Sequence, residues 1–326
     1  MTETKYSRPA AAVGVVALSA ALAACSSGPD AASAADGGEM ASVRISIGTD
    51  PSFAAAYVAE QQGMFEDAGL SVEFVNTGGG PASVQNVSAG VADIAINGDA
   101  TTLPLLPQHS KLKVLGVFEE SDTLFKVVLR EGVEPADIEK MAYGPGLRHY
   151  MTVRYLESEG IDPSSVELIN ADSPEFPAIL GNGDADGYVS FEPWVSRGVE
   201  QGGRVVADSG DFGAGFTQWI VVNGDWLSEN EETAAKFVSV LDEAAELVES
   251  DPDLAIRDTM TAIKVDEPTA RSAIEEITFN VREFTPADFE AAGQLMKFFE
   301  SSDVIDAPID LDKFILADWL KTHVLN

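Results

Sequence analysis

From Val43 onward, short runs of alternating apolar residues are interleaved with helical stretches. Val43-Arg-Ile-Ser-Ile47 puts an apolar side chain at every second position, the period of a half-buried strand. Phe53 to Asp67 carries its apolar residues at helical spacing and closes at Gly69, and Ser71 to Asn76 is a second strand. Pro81 suits the first turn of a helix running to Gly90, where a missing N–H costs nothing. The same grammar predicts strands at 94–97, 113–118 and 124–129, with a short proline-cut helix at 101–106. It restarts after Gly132, with strands at 141–143, 166–169, 187–190, 205–207 and 216–222 and helices at 147–159 and 175–180. Repeated strand–helix–strand order predicts mainly parallel α/β sheets. Beyond Asn223 the spacing becomes that of long amphipathic helices, at 229–250, 252–261, 267–279, 286–301 and 311–324. Two α/β units and a helical tail predict two lobes about a cleft: lobe 1 from 43–126 plus 224–326, lobe 2 from 127–223. Segments 124–129 and 216–222 are the candidate crossing strands.

The start of the chain follows a different pattern. Lys5 and Arg8 precede an unbroken apolar and small-residue run from Ala10 to Ala24. At about 15 residues this run is shorter than the ~20 that span a bilayer, and it reads as a secretory signal over residues 1–24. It ends in Leu22-Ala23-Ala24-Cys25, which resembles a bacterial lipobox, where cleavage precedes a cysteine whose sulfur receives diacylglycerol. Residues 25–42, rich in Ser, Ala, Gly and Asp, read as a flexible tether. The expected location is the extracytoplasmic face of a bacterial cell membrane, held there by lipid on Cys25.

Composition narrows the chemistry. With 45% hydrophobic and 23% charged residues, the 326-residue chain has the make-up of a globular protein. Its 20 Lys and Arg against 54 Asp and Glu give a charge of −34, which argues against binding nucleic acid, whose phosphates need clustered cations. The single cysteine excludes a disulfide framework, and three scattered histidines offer no metal-ligand spacing. Asn182-Gly-Asp-Ala-Asp-Gly187 opens like a calcium loop, but its twelfth position is Pro193, with Glu192 one place early. No Gly-x-Ser-x-Gly elbow occurs, and Gly78–Gly80 lacks the Gly-Lys-Ser/Thr ending of a nucleotide loop. Neither metal, cofactor nor catalytic residue is expected.

In open α/β sheets, small ligands sit where strands end and helices begin, with free backbone N–H groups facing them. The chain places Thr49–Phe53, Thr77–Ser83 and Asn97–Thr101 at such ends in the first unit. Gly144–Tyr150 and Ser190–Trp194 occupy the corresponding ends in the second.

The residues between these loops carry a resemblance. Tyr57-Val-Ala-Glu-Gln-Gln-Gly-Met-Phe-Glu-Asp-Ala-Gly-Leu-Ser-Val-Glu-Phe74 and Gly78-Gly-Gly-Pro-Ala-Ser-Val-Gln-Asn-Val-Ser-Ala-Gly-Val-Ala-Asp-Ile-Ala95 resemble the nitrate/sulfonate/taurine-type solute-binding proteins of ABC importers. The same superfamily includes binders of thiamine-precursor pyrimidines. Pro145-Gly146, Gly160–Leu168 and Gly183-Asp-Ala-Asp-Gly-Tyr-Val-Ser-Phe-Glu-Pro-Trp194 extend the likeness over about residues 43–225. The resemblance implies a type II periplasmic-binding fold: two α/β lobes, two hinge strands, a helical C-terminal tail and a cleft that closes on a small molecule. Matched onto the family's cleft loops, the binding positions are Phe53, Gly79, Gly80, Asn97, Asp99, Gly146, Arg148, His149, Glu192 and Trp194. Gly146 is followed here by Leu147, where sulfonate and taurine relatives carry Ser or Thr, so one hydroxyl donor is missing.

The expected role is a monomeric, lipid-anchored receptor that passes a small organic anion or heteroaromatic solute to an ABC permease and its ATPase. Arg148 favours the anion, whereas Glu192 would favour an amine or pyrimidine donor. An extracellular enzyme on the same fold, related to the pyrimidine-precursor synthase, and a sensory or scaffold lipoprotein are the alternatives. The synthase depends on a cysteine-rich motif that this chain lacks.

Overall fold

A computed structural model describes residues 40–77 and 80–325. The signal segment, Cys25, most of the tether, Gly78 and Gly79 lie outside the described residues.

The strands are β1 (Ala41–Ile47), β2 (Leu70–Asn76), β3 (Ile94–Gly98), β4 (Leu112–Ser121), β5 (Lys126–Arg130) and β6 (Lys140–Tyr143). They continue with β7 (Glu167–Asn170), β8 (Gly187–Ser190), β9 (Gly203–Asp208), β10 (Phe216–Asn223) and β11 (Thr278–Arg282). Two sheets result, one of six strands in the order β11-β4-β10-β3-β1-β2 and one of five in the order β7-β6-β8-β5-β9. Each is parallel at one side, through β1 with β2 and β3 or through β6 with β7 and β8. Each turns antiparallel where the chain passes between sheets, at β4 and β10 or at β5 and β9. The sheets are therefore mixed rather than mainly parallel.

The passage between sheets corrects the expected lobe boundary. β10 pairs with both β3 and β4, so 216–223 belongs to the first sheet, not to lobe 2. The crossings are the short links 122–125 and 209–215: the candidate 216–222 lies wholly within the first sheet, and the candidate 124–129 starts in the first link and continues as β5. The cause is hydrophobic: Ile220, Val221 and Val222 are all fully buried between the antiparallel neighbours. At roughly 1.5–3 kcal/mol for each large apolar side chain, that burial fixes the strand in the larger sheet.

The tail also departs from expectation. The helix starting at Glu267 stops at Glu275, and Thr278-Phe-Asn-Val-Arg282 forms β11, with Phe279 and Val281 buried and Thr278 and Asn280 exposed. Only Thr278 and Phe279 of this strand fall within the expected helix 267–279. The first long helix runs from Glu231 to Ser250, close to the expected 229–250, and the short helix Gly224–Glu229 precedes it across Asn230. The span 311–324 holds only a single turn, Leu311–Lys313, and the short helix Trp319–His323, with Asp318 between them at φ 61°. The helix Pro286–Ser301 is held against the first sheet by Arg282, which pairs with Asp288 on the helix (2.7 Å) and with Glu120 on β4. Thr285 and Asp288 close a reciprocal cap at its start.

Candidate functional site

A cavity of about 800 Å³ opens where the loops after β1, β2, β3, β6 and β8 converge with the first crossing and the C-terminal helices. Both lobes supply glycines of one unusual conformation. Gly80 (φ 59°, ψ −131°) precedes the helix Pro81–Ser88, and Gly146 (φ 74°, ψ −127°) precedes the helix Leu147–Ser158. That region is essentially open only to glycine, and at both places it lets a helix start beside the cavity. The wall is largely apolar. Phe125, in the first crossing, packs edge-on against Phe191 of the second lobe (5.4 Å) and Phe216 of the first (5.5 Å).

Seven of the ten expected positions are Phe53, Gly80, Asn97, Gly146, Arg148 and Glu192, which line the cavity, and Gly79, which is outside the described residues. Arg148 is the one Lys or Arg among the described lining residues. It is half-buried, its Nε has no hydrogen-bond partner and no carboxylate pairs with it; burial lowers its pKa, against the raising influence of Asp172. Its guanidinium folds back over Gly144, where a Cβ would stand 2.5 Å from Nε. Asn97 is anchored by donating to Thr102 Oγ1 (3.0 Å). Both Glu192 oxygens are engaged: Oε1 accepts from Ser196 Oγ (2.8 Å) and Oε2 from Ser196 N (3.1 Å).

Three positions stand elsewhere. Asp99 turns inward at the start of its helix, accepting from Ala100 N (2.5 Å) and from Thr217 N and Oγ1 (3.4 and 3.3 Å). His149 follows Arg148 round the helix to another face, where its ring meets Tyr143 (4.4 Å) and Phe298 (5.0 Å) and lines a second groove. Trp194 lies under the Arg197 guanidinium (4.7 Å), with its carbonyl accepting from Tyr188 Oη (2.7 Å). Successive helical residues point about 100° apart, so a loop motif that locates Arg148 does not carry its neighbours with it.

The structure adds groups that the motif reading passed over. Asp50 and Gln218 line the cavity, and Ser52 links them: Gln218 Nε2 donates to Ser52 Oγ (2.7 Å), which donates to Asp50 Oδ1 (2.5 Å). Behind them Glu119 on β4 is fully buried and stands opposite Gln218 in the strand register. Their sequence signal was available as an acid and an amide inside otherwise apolar strands. The tail contributes Thr269, Ala273, Ile277 and Phe299 to the wall. Among the described residues, no cluster of His, Cys, Asp or Glu is placed to hold a metal ion, and no helix is long and apolar enough to cross a membrane.

The NMT1/THI5 like family model matches residues 50–255, most of the chain and nearly all of the cavity loops. The chain belongs to that family. It is 29% identical to YtlA of Bacillus subtilis (strain 168) over 78% of this chain and 76% of that protein. It is 24% identical to the taurine-binding periplasmic protein of Escherichia coli (strain K12), over 66% of this chain and 69% of the relative. The periplasmic aliphatic sulphonate binding protein SsuA of Escherichia coli superposes with a TM-score of 0.74 at 16% identity, covering 83% of this chain and 91% of SsuA. The architecture is thus the type II periplasmic-binding fold, and this NMT1/THI5-like chain sits within the nitrate/sulfonate/taurine superfamily of ABC solute-binding proteins. The superfamily's setting is extracytoplasmic. The desulfurization enzyme DSZB has the same fold, with a TM-score of 0.64 at 16% identity over 87% of this chain and 98% of the enzyme, so the fold alone does not separate binder from catalyst.

Proposed function

We propose that this protein is the solute-receiving component of an ABC importer, held at the membrane surface by lipid on Cys25 and performing no covalent chemistry. It takes a small organic anion with an apolar or aromatic body into the cavity between its lobes. It then delivers that solute to a permease and ATPase pair. The observation that carries this reading is a largely aromatic and aliphatic cavity whose one lining guanidinium among the described residues, Arg148, makes no ion pair. In a chain with 54 acids, a half-buried Arg without an ion pair is conspicuous, and an anionic ligand group supplies its missing partner. Backbone N–H groups at the helix starts after Gly80 and Gly146 add donors for the same charge. Family membership and the taurine- and sulphonate-binding relatives support the transport role.

Calorimetry of the mature chain against benzenesulfonate, benzoate and an aminopyrimidine tests the reading. Saturable binding of the anions, with the ligand recovered unchanged, is the expected result. Conversion of the ligand would make the protein an enzyme, and indifference to every anion would remove the ligand class. Incorporation of labelled palmitate, abolished by Cys25→Ser, checks the anchor.

A further inference from the structure

The cavity wall opposite in chemistry to Arg148 is built from Asp50, Ser52 and Gln218, with Glu119 behind. Asp50 accepts from Ser52 N (3.0 Å) and Ser52 Oγ (2.5 Å), and both bonds go to Oδ1. Oδ2 receives none from the described residues. Gln218 is 5% exposed and lines the cavity, and its Oε1 has no hydrogen-bond partner. Glu119 is 0% exposed, and neither of its oxygens has one. Of these acceptors, Asp50 Oδ2 is the one that a group in the cavity can reach.

No Lys or Arg among the described residues pairs with Asp50 or Glu119. The other buried carboxylates are better served: Asp93 is bound by Arg44 (2.6 Å), Asp288 by Arg282 (2.7 Å), and Asp99 by Ala100 N and Thr217. Burial raises the Asp50 pKa against the pull of the two Ser52 bonds, and raises that of Glu119 well above the ordinary range, with the Asp50 charge adding to the effect. A buried acceptor with no donor costs on the order of 1–3 kcal/mol, so its persistence at a cavity wall calls for a compensating group. Glu192, the other acid of the cavity, is already occupied by Ser196 at both oxygens.

We propose that Asp50, positioned through Ser52 and Gln218, forms a subsite for a protonated amine on the ligand, which donates to Asp50 Oδ2. Ser52 links Gln218 Nε2 to Asp50 Oδ1 through its single hydroxyl, so that Oδ2 is left for the ligand. The subsite deepens the solute-binding reading and rests on it for the location of the ligand. Together with Arg148 it makes the cavity bipolar, suited to a solute carrying an anion and an amine on an apolar body.

The test compares 2-phenylethylamine with 2-phenylethanol, which match in size and differ in the donor, by ligand-observed NMR and calorimetry on the full mature chain. The wild-type protein should bind the amine at least tenfold more tightly. Asp50→Asn should bring that ratio close to one while leaving the affinity for the alcohol unchanged. Gln218→Ala should lower the ratio several-fold, and it decides the matter if Asp50→Asn does not fold. A wild-type ratio near one, or a ratio unchanged in the folded variants, overturns the subsite. Benzenesulfonate, titrated in parallel, keeps the two readings apart: its binding without amine preference sinks only the subsite. Amine preference without anion binding sinks only the anionic ligand class.

Discussion

A single guanidinium and a single carboxyl on opposite sides of the same structural logic give the clearest residue-scale expectations. Arg148 supplies the only lining cation among the described residues, so Arg148→Ala should weaken binding of benzenesulfonate by roughly 2–5 kcal/mol, as when one partner of a desolvated charge pair is removed. Calorimetry reads this directly, and equal affinity would place the anion elsewhere. Asp99 is the opposite case, a carboxyl sealed into the fold. Burial pushes it up to about 7, against bonds from Ala100 and Thr217. A raised carboxyl favours the folded state fully below its unfolded pKa of 3.8, and that advantage is lost as pH climbs through about 7. Asp99→Asn cannot ionise. Its melting temperature should therefore gain on that of the wild type between pH 4.5 and pH 8, and a constant gap would show that Asp99 does not titrate this way.

At the scale of elements, lobe 2 depends on close approach between the helix Trp194–Glu200 and β8. A Cβ on Gly198 would stand 1.8 Å from Tyr188 Oη, and Tyr188 is fully buried with its hydroxyl bound to the Trp194 carbonyl. Gly198→Ala should destabilise the protein by about 1–3 kcal/mol, the usual cost of overpacking, seen as a lower denaturant midpoint. An unchanged midpoint would mean that the helix can shift off the sheet. Much of this level was legible in the chain. The strands through β10 lie within two or three residues of their hydrophobic runs, because burial and period act locally there. β11 was not, since its five residues follow a helix without a Gly or Pro to mark the change. The site was legible in proportion to how much the backbone defined it: Gly80 and Gly146 show through their required conformation, as did the loops they begin. Gln218 and Glu119 are joined by strand pairing across about a hundred residues, and Asp50 meets Gln218 only through Ser52, neither of which local pattern encodes. His149 and Trp194 failed to reach the cavity because helical rotation and a stacking arginine, respectively, turn them aside.

Across the whole molecule, the lobes are tied close to the crossings. Lys126 on β5 pairs with Glu276 at the end of the helix Glu267–Glu275, whose carbonyl accepts from Ser121 Oγ (2.5 Å) and Thr123 Oγ1 (3.2 Å). Farther out, Tyr150 Oη meets Gln294 Oε1 at 3.4 Å beside the second groove. In the proposed import role, the crossings act as the hinge. A solute that touches both lobes stabilises the closed arrangement selectively, so small-angle scattering should record a smaller radius of gyration when a tight-binding ligand is added. An identical profile with and without such a ligand would remove closure from the mechanism.

The pairing of Phe216 with Ser121 sets the order in which the protein can be assembled. The second sheet is drawn from one uninterrupted stretch of chain, so everything it needs has been synthesised once β9 is made. The first sheet must wait for β10 and β11, and its central pairing joins segments separated by the whole inserted lobe. Closing so long a loop is entropically favoured only after the insert has become compact and brought its two ends side by side. The later-encoded lobe is thereby the earlier to mature, and the cleft is the last feature the nascent polypeptide acquires.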